Sequence, residues 1–387
     1  MKRARSSPGA AGAPDRPRHV LHVFSVMDPG GAELRTLDVI RRLDQSRYAT
    51  SIVTVSGRPG QLDAIVRDRG VTLLSARFDL AFPLRFARVL LRTRPDVVHS
   101  HIATNSGLPL AVARWMGVAT RVAHFRSDGD PHGQGARRRL QRCAMRWLID
   151  RSATAIVGVS PSALEYGWSS EWRSDVRCRV IANGLEVDAL PSCGQRGEAR
   201  ARLGIDPHEV LIAHVARSTA EKNRLRALEV ASAIHSRRCL GAFRLLLVGS
   251  MSDEERRQVE DRTVALGISD HVTVLGFRDD IPDLLMDADL LLVTSTREGL
   301  PGTVLEALAV GTAVVSSSVP GSCWIGELVA GVSIMDLAQS DAAWAARVEL
   351  VVAAESGERR AAIRESFAQG PFRIERVLAE LERVWAG

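Results

Sequence analysis

From His19 onward, apolar runs of strand length alternate with patterns of helical spacing. The run His19–Met27 (HVLHVFSVM) predicts a strand, the DPGG after it a turn, and Leu34, Leu37, Ile40 and Leu43 then recur at the helical period. Further strand-length runs lie at Ser51–Val55, Val71–Leu74, Val97–Ser100, Arg121–Phe125 and Ala155–Val159. After a polar, Pro/Gly-containing stretch, Pro191–His208, a second series follows: Val210–Val215, Phe243–Val248, Val272–Leu275, Leu290–Val293 and Ala313–Ser316. Helical patterns fill the gaps in both halves. Repeated β-α units with short connections predict a mainly parallel sheet covered on both faces. The end, Phe372–Trp385, predicts a helix with Ile374, Val377, Leu378, Leu381 and Val384 on one face.

A chain of 387 residues is too long for one ordinary core, so the two series read as two domains. The expected fold class is α/β, with two Rossmann-like parallel-sheet domains facing across a cleft. The expected divisions are a basic tail at 1–18, a first domain at 19–185, a second at 186–370, and a terminal helix at 371–387 that crosses back to the first. In open α/β sheets, ligands bind beyond the carboxyl ends of the strands. Two such sheets face to face put the ligand between the domains.

Composition changes this picture little. Hydrophobic content of 45% and charged content of 25% suit an ordinary globular chain. The net charge of +6 and pI near 9.5 suit an anionic ligand or a membrane surface, or reflect scattered solvated arginines. No zinc spacing, RNP-type strand or basic zipper helix appears, so nucleic acid is not an expected partner. Cys143, Cys178, Cys193, Cys239 and Cys323 are dispersed, odd in number and without a CxxC pair. They support neither a disulfide framework nor a zinc site, and they fit a reducing cytosol. No apolar run reaches the roughly 18 residues that span a bilayer. The first 18 residues are basic and lack the apolar core of a secretory signal.

The main chemical signal is Glu298-Gly299-Leu300-Pro301-Gly302-Thr303-Val304-Leu305-Glu306-Ala307, which follows the apolar run Asp289–Ser295. Pro301 between two glycines cannot sit inside a helix, which places Glu298 on a loop and Glu306 in the early turns of the next helix. A helix start presents free N–H groups and a positive dipole end to an anion, and the two carboxylates can accept from hydroxyls beside it. The bland alternative is a solvated acid followed by a helix-dipole acid. A second signal follows the run Val210–Val215: Ala216-Arg217-Ser218-Thr219-Ala220-Glu221-Lys222-Asn223 carries two cations suited to one diphosphate, or simply two exposed charges.

These residues give the chain a recognisable likeness. It resembles the family-4 glycosyltransferases of GT-B fold, of the bacterial polysaccharide type. The likeness rests on Glu298 to Glu306 (E-x7-E) and on Arg217, Lys222 and Asn223 (R-x4-K-N). It extends to Ile181-Ala182-Asn183-Gly184, similar to the family's interdomain turn, to the glycine loop Asp28-Pro29-Gly30-Gly31-Ala32-Glu33, and to Asp96-Val97-Val98-His99-Ser100-His101. The resemblance implies that Glu298 binds donor-sugar hydroxyls with backbone N–H groups near Leu300 and Pro301. It implies that Glu306 binds the ribose, that Arg217 and Lys222 hold the diphosphate, and that Asn223 belongs to the donor site. Gly30 and Gly31 would let the first domain's backbone approach the phosphates, the alternative being a simple tight turn. Phe277, in Gly276-Phe277-Arg278, would contact the base. His124, in Arg121–Asp128, would sit beside sugar and acceptor, with Arg126 and Asp128 on the acceptor side. His99 and His101 read as structural, or as supporting the site from behind the residues that touch the substrate. Two departures bear on the site: Ala216 stands where the family often has glycine, and Gly321-Ser322-Cys323-Trp324-Ile325 replaces its usual acidic step.

The resemblance also implies transfer with retention of anomeric configuration, no cofactor and no metal, with a nucleotide diphosphate sugar as donor. Protein cations and helix ends would then stabilise the leaving diphosphate. The expected acceptor is a carbohydrate, lipid-linked or natural-product hydroxyl, in surface polysaccharide or glycoconjugate synthesis. A nucleotide-sugar epimerase or hydrolase, and a non-catalytic nucleotide-sugar-binding protein, stand as rivals. The stretch Arg137–Leu148 predicts an amphipathic helix with Leu140, Cys143, Ala144, Trp147 and Leu148 on one face and Arg138, Arg142 and Arg146 on another. Its expected pose is core-facing with solvated arginines; the alternative is peripheral contact with the inner face of the plasma membrane.

Overall fold

The computed structural model describes residues 16–128, 135–190 and 197–387. Most of the basic tail, and Cys193, lie outside them.

The first sheet has seven parallel strands: β1 (Arg18–Phe24), β2 (Tyr48–Thr54), β3 (Thr72–Ser75), β4 (Val97–Ser100), β5 (Thr120–Phe125), β6 (Ala155–Gly158) and β7 (Cys178–Val180), in the order β3-β2-β1-β4-β5-β6-β7. Its helices are α1 (Gly31–Arg42), α2 (Asp63–Asp68), α3 (Phe82–Thr93), α4 (Gly107–Trp115), α5 (Ala136–Ser152) and α6 (Pro161–Gly167). The second sheet has six: β8 (Val210–Val215), β9 (Phe243–Val248), β10 (Val272–Gly276), β11 (Leu290–Val293), β12 (Val314–Ser317) and β13 (Val332–Met335), in the order β10-β9-β8-β11-β12-β13. Its helices are α7 (Glu198–Leu203), α8 (Arg224–Arg237), α9 (Asp253–Ala265), α10 (Ile281–Asp287), α11 (Gly302–Ala309), α12 (Pro320–Leu328), α13 (Asp341–Ala353) and α14 (Gly357–Gln369), followed by α15 (Ile374–Ala386).

Strands β4, β6, β11 and β12 are buried at every residue, as sheets with helices on both faces require. Helix starts follow local chemistry. Ser160, Ser252, Ser340 and Ser356 each accept a backbone N–H from the first turn of the helix they open, offsetting about 1 kcal/mol of unsatisfied donor apiece. The two strands that the apolar pattern does not mark, β7 and β13, are short sheet edges without a fully buried run.

Helix α15 packs on the first sheet. Val377, Leu381, Val384 and Trp385 join Val20, Val97, Val122 and Val157 in one buried cluster. Its entry is fixed by a parallel bridge between Leu185 and Arg373, with Leu185 N–H donating to Phe372 O at 2.8 Å. Gly184 sits against it so closely that a Cβ there would lie 2.8 Å from Ile374 Cα. No helix among the described residues is long and apolar enough to cross a membrane.

Candidate functional site

Each sheet changes direction between its first strand and its fourth: β1 neighbours β4, and β8 neighbours β11. Loops leaving the carboxyl ends of such paired strands diverge and leave a crevice. In the first domain the crevice is bordered by the Gly30–Gly31 start of α1 and the end of β5. In the second it is bordered by the 216–223 loop after β8 and the 294–301 loop after β11. The two crevices face each other.

The two second-domain loops are tied together. Thr294 Oγ1 donates to Asn223 O at 2.9 Å, Thr296 N–H donates to Glu221 O at 2.8 Å, and Arg297 pairs with Glu221 at 2.7 Å. Asn223 takes a left-handed conformation (φ 51°, ψ 51°) just before α8, which turns the loop back toward the cleft. Within this frame Lys222 Nζ donates to Glu298, whose Oε1 also accepts from Ser295 Oγ at 3.1 Å. Both side chains are largely buried. Pro301 caps the start of α11, Leu300 is buried beneath it, and Gly302 opens on free space. Gly321 in α12 lies under this loop, since a Cβ there would meet Gly299 O at 2.6 Å. The step that departs from the family pattern therefore supports the Glu298 loop through its glycine. Ala216 is buried, and its carbonyl accepts from Arg224.

Four relationships cross between the domains. Glu306, on α11, is paired with Arg35 of α1, which also binds Asp38 at 3.1 Å. Burial pushes the Glu306 carboxyl above its usual range, and Arg35 opposes that rise. Burial likewise raises Glu33 at the start of α1, opposed by Arg126 and by Arg217 from the facing loop. Asp128 is raised to about 6, first by burial, with the Ser162 hydroxyl at 2.5 Å opposing and the negative charge of Glu298 adding to the rise. Finally, the Glu298 loop touches the end of the β5 segment directly: a Cβ on Gly299 would lie 2.9 Å from Ser127 Cα.

The structure thus brings Lys222, Asn223, Glu298, Leu300, Pro301 and Asp128 together where the two loops meet the end of β5, while Arg217 faces Glu33 and Glu306 meets Arg35, both on α1. Neither glycine of the pair is required by its backbone conformation. Gly30 has an ordinary extended φ of −152°, and a Cβ there would press on the flexible Glu33 carboxylate, with Asp28 O at 3.8 Å; at Gly31 it would meet nothing within 4 Å. Phe277 follows β10 with its ring exposed, and Gly276 before it accepts from Gly249 N–H at 2.7 Å, next to the 216–223 loop. Arg126 is directed inward. It donates to His101 Nδ1 at 3.1 Å, to Asn183 Oδ1 at 2.9 Å and to Thr36 Oγ1 at 3.2 Å, so it braces the interdomain turn against the first sheet. Burial lowers its guanidinium to about 10. Arg35 carried no sequence signal, because it is an ordinary polar position of an amphipathic helix until Glu306 meets it.

His124 is buried at the end of β5 in a stack with His22, His99 and His101. His22, His99 and His101 form, among the described residues, the one group with metal-ligand spacing. Their hydrogen bonds do not fit a cation. Arg126 points an N–H at His101 Nδ1 and Trp385 points one at His99 Nδ1, so each neutral ring must carry its own proton on Nε2. A guanidinium in contact with the trio further opposes positive charge.

Residues 29–189 match the family described as Glycosyltransferase Family 4, and residues 195–368 match Glycosyl transferases group 1. The chain belongs to glycosyltransferase family 4. This glycosyltransferase is 27% identical over 360 residues to a Bacillus subtilis protein named as the glycosyltransferase EpsF, covering 91% of this chain and 92% of that one. It is also 27% identical over 302 residues to CapH of Staphylococcus aureus, named as a capsular polysaccharide biosynthesis glycosyltransferase, covering 78% and 81%. Its GT-B fold matches the crystal structure of Anabaena HepE in complex with UDP-glucose at a TM-score of 0.76 and 18% identity, covering 95% of this chain and 99% of that one.

Proposed function

We propose that this glycosyltransferase moves a sugar from a nucleotide diphosphate sugar to an acceptor hydroxyl, with retention at the anomeric carbon and without a metal. The observation that carries the reading is the convergence of Arg217, Lys222 and the start of α11 with two carboxylates, Glu298 and Glu306, at one switch point. Cations and helix N–H groups neutralise a diphosphate; carboxylates beside them accept from sugar and ribose hydroxyls. HepE, of the same fold, was crystallised with UDP-glucose, which supports a nucleotide sugar as donor.

Without a metal, the negative charge growing on the departing diphosphate falls to Arg217, Lys222 and the α11 N-terminus. Preorganised donors of this kind contribute about 2.7–4 kcal/mol each to the transition state. The acceptor oxygen bonds to the anomeric carbon as the bond from that carbon to the phosphate oxygen breaks, and the acceptor proton passes to that phosphate oxygen on the same face. No enzyme nucleophile is needed. The Gly299 loop approaches Ser127 closely, and such closure over bound donor would limit hydrolysis. The test is NMR of the product's anomeric coupling, with the reaction run with and without EDTA. Retention and indifference to EDTA are expected; inversion, or loss with EDTA, contradicts the reading.

The acceptor reading rests on α5. Of the expected core-facing side only Leu148 turns inward, against Gly107 of α4. Leu140, Cys143, Ala144 and Trp147 lie outward, with Leu140 73% and Trp147 55% exposed. Arg146 turns inward to Gly167 O at 3.0 Å, and Arg142 packs over the Tyr166 ring. Trp115, at the end of the neighbouring α4, is 80% exposed. Exposed Arg137, Arg139 and Arg151 on the same helix, with Asp150 as its one acid, complete a surface that is apolar and cationic together. It suits the inner face of an anionic membrane and a lipid-linked acceptor. Sedimentation with phosphatidylglycerol vesicles should be lost in Leu140→Ser/Trp147→Ser. Equal sedimentation of this variant, or none by the native chain, favours a natural-product acceptor in solution.

A further inference from the structure

The four stacked histidines are joined in two ordered chains, each beginning at a group that can only donate. Trp385 Nε1 is 3.1 Å from His99 Nδ1, and His99 Nε2 is 3.0 Å from His124 Nδ1. Arg126 Nε is 3.1 Å from His101 Nδ1, and His101 Nε2 is 3.0 Å from His22 Nδ1. An indole N–H and a guanidinium N–H have no acceptor role, and a neutral imidazole has one donor and one acceptor nitrogen. The order of each chain follows. His99 accepts at Nδ1, so its proton is on Nε2 and is donated to His124 Nδ1. His124 must then carry its own proton on Nε2. By the same steps His22 carries its proton on Nε2.

Both terminal nitrogens, His124 Nε2 and His22 Nε2, are buried and have no hydrogen-bond partner among the described residues. Such an N–H is costly unless something accepts from it. His124 lines a small cavity with Arg35, Arg126 and Asn183, closed by Val39 of α1 and by Val377 and Leu381 of α15; Arg35 also carries the pair with Glu306. Burial holds all four rings neutral, which keeps the donor and acceptor roles fixed.

We propose that Trp385 is a positioning residue for transfer: through His99, its indole N–H fixes His124 in the tautomer that offers Nε2–H to a hydroxyl oxygen of the bound sugar. The terminal helix thereby sets the polarity of a hydrogen bond in the cleft without touching the substrate. The role of His124 toward sugar rests on the transferase reading above; the order of the chain does not. Trp385 also stands edge-on to Tyr48 and His22, which explains its complete burial but does not require an N–H. A phenylalanine at that position keeps the ring packing and removes only the donor.

The experiment is long-range proton–nitrogen NMR of the full chain with labelled histidines, without substrate, on the native protein and Trp385→Phe. The native His99 and His124 should both show the Nε2–H tautomer, and Trp385→Phe should shift both toward a mixture. Two further variants separate this role from packing. Glutamine can accept with its oxygen and donate with its nitrogen, so His99→Gln should retain turnover, whereas His99→Leu and Trp385→Phe should each lower kcat/KM by about tenfold or more. An Nδ1–H tautomer at native His124, unchanged tautomers in Trp385→Phe, or His99→Gln as impaired as His99→Leu would overturn the proposal. Tautomers that shift while turnover stays native would overturn the positioning role. Because the tautomer is read without donor or acceptor, failure of the transferase reading gives a different result from failure of the relay.

Discussion

Arg35 and Glu306 are 271 residues apart in sequence and form an ion pair between α1 and α11. Both side chains are mostly buried, at 17% and 20% exposure, so neither charge is well solvated without the other. A ribose that reaches Glu306 must compete with this pair. Arg35→Ala should lower stability by about 1.5–3 kcal/mol, the range for a hydrogen bond to a charged group. Combining it with Glu306→Gln should cost less than the two single losses together, because the second change removes the stranded carboxylate. Urea unfolding of the three variants checks this; strict additivity would mean that the pair contributes nothing.

The Gly299 contact gives a second expectation. A Cβ there would lie 2.9 Å from Ser127 Cα and 3.2 Å from Asp128 N, backbone atoms of the facing domain that must shift to admit it. Gly299→Ala should therefore lower kcat/KM by about tenfold or more while leaving the melting temperature of the chain nearly native. Native turnover in this variant would show that the two loops need not meet during transfer.

Asp128 supplies a pH test. Its carboxyl is raised to about 6 by burial, above the unfolded value of about 3.9. For an acid whose folded value is raised, the neutral form is the one the fold favours. The resulting penalty is absent at low pH, grows as pH climbs from about 4 to 6, and is fully present above that. The side-chain amide introduced by Asp128→Asn cannot ionise and still accepts from Ser162. The melting temperature of Asp128→Asn minus that of the native chain should be more positive at about pH 7.5 than at about pH 4.5. A flat difference, or one of opposite slope, would contradict the burial argument.

Much of the fold is legible in the sequence because doubly covered parallel strands are continuous apolar runs. Val97–Ser100, Val210–Val215, Phe243–Val248 and Leu290–Val293 coincide with strands end to end. The edges β7 and β13 escape the same reading, since a strand with one neighbour needs no unbroken run. The helix of Leu140 and Trp147 shows where pattern is silent: periodicity defines an apolar face but not what covers it. The charged loop residues were readable from type and spacing. Arg35 was not, nor was the histidine chain, because ion pairs and hydrogen bonds between distant elements leave no local spacing. Phe277 is assigned to the base by likeness alone, and its ring is exposed after β10.

On the proposed function, Lys222 and its neighbours grip the diphosphate of a nucleotide sugar. Lys222 is tied to Glu298 and sits beside Asn223, at the head of α8. The most direct measurement is calorimetric titration of the native chain and of Lys222→Ala with uridine and guanosine diphosphate sugars, each variant first shown to be folded by its melting curve. Saturable binding of one such donor by the native chain, lost in folded Lys222→Ala, is the predicted result. Equal affinity in both, or no binding of either donor class by the native chain, would contradict it.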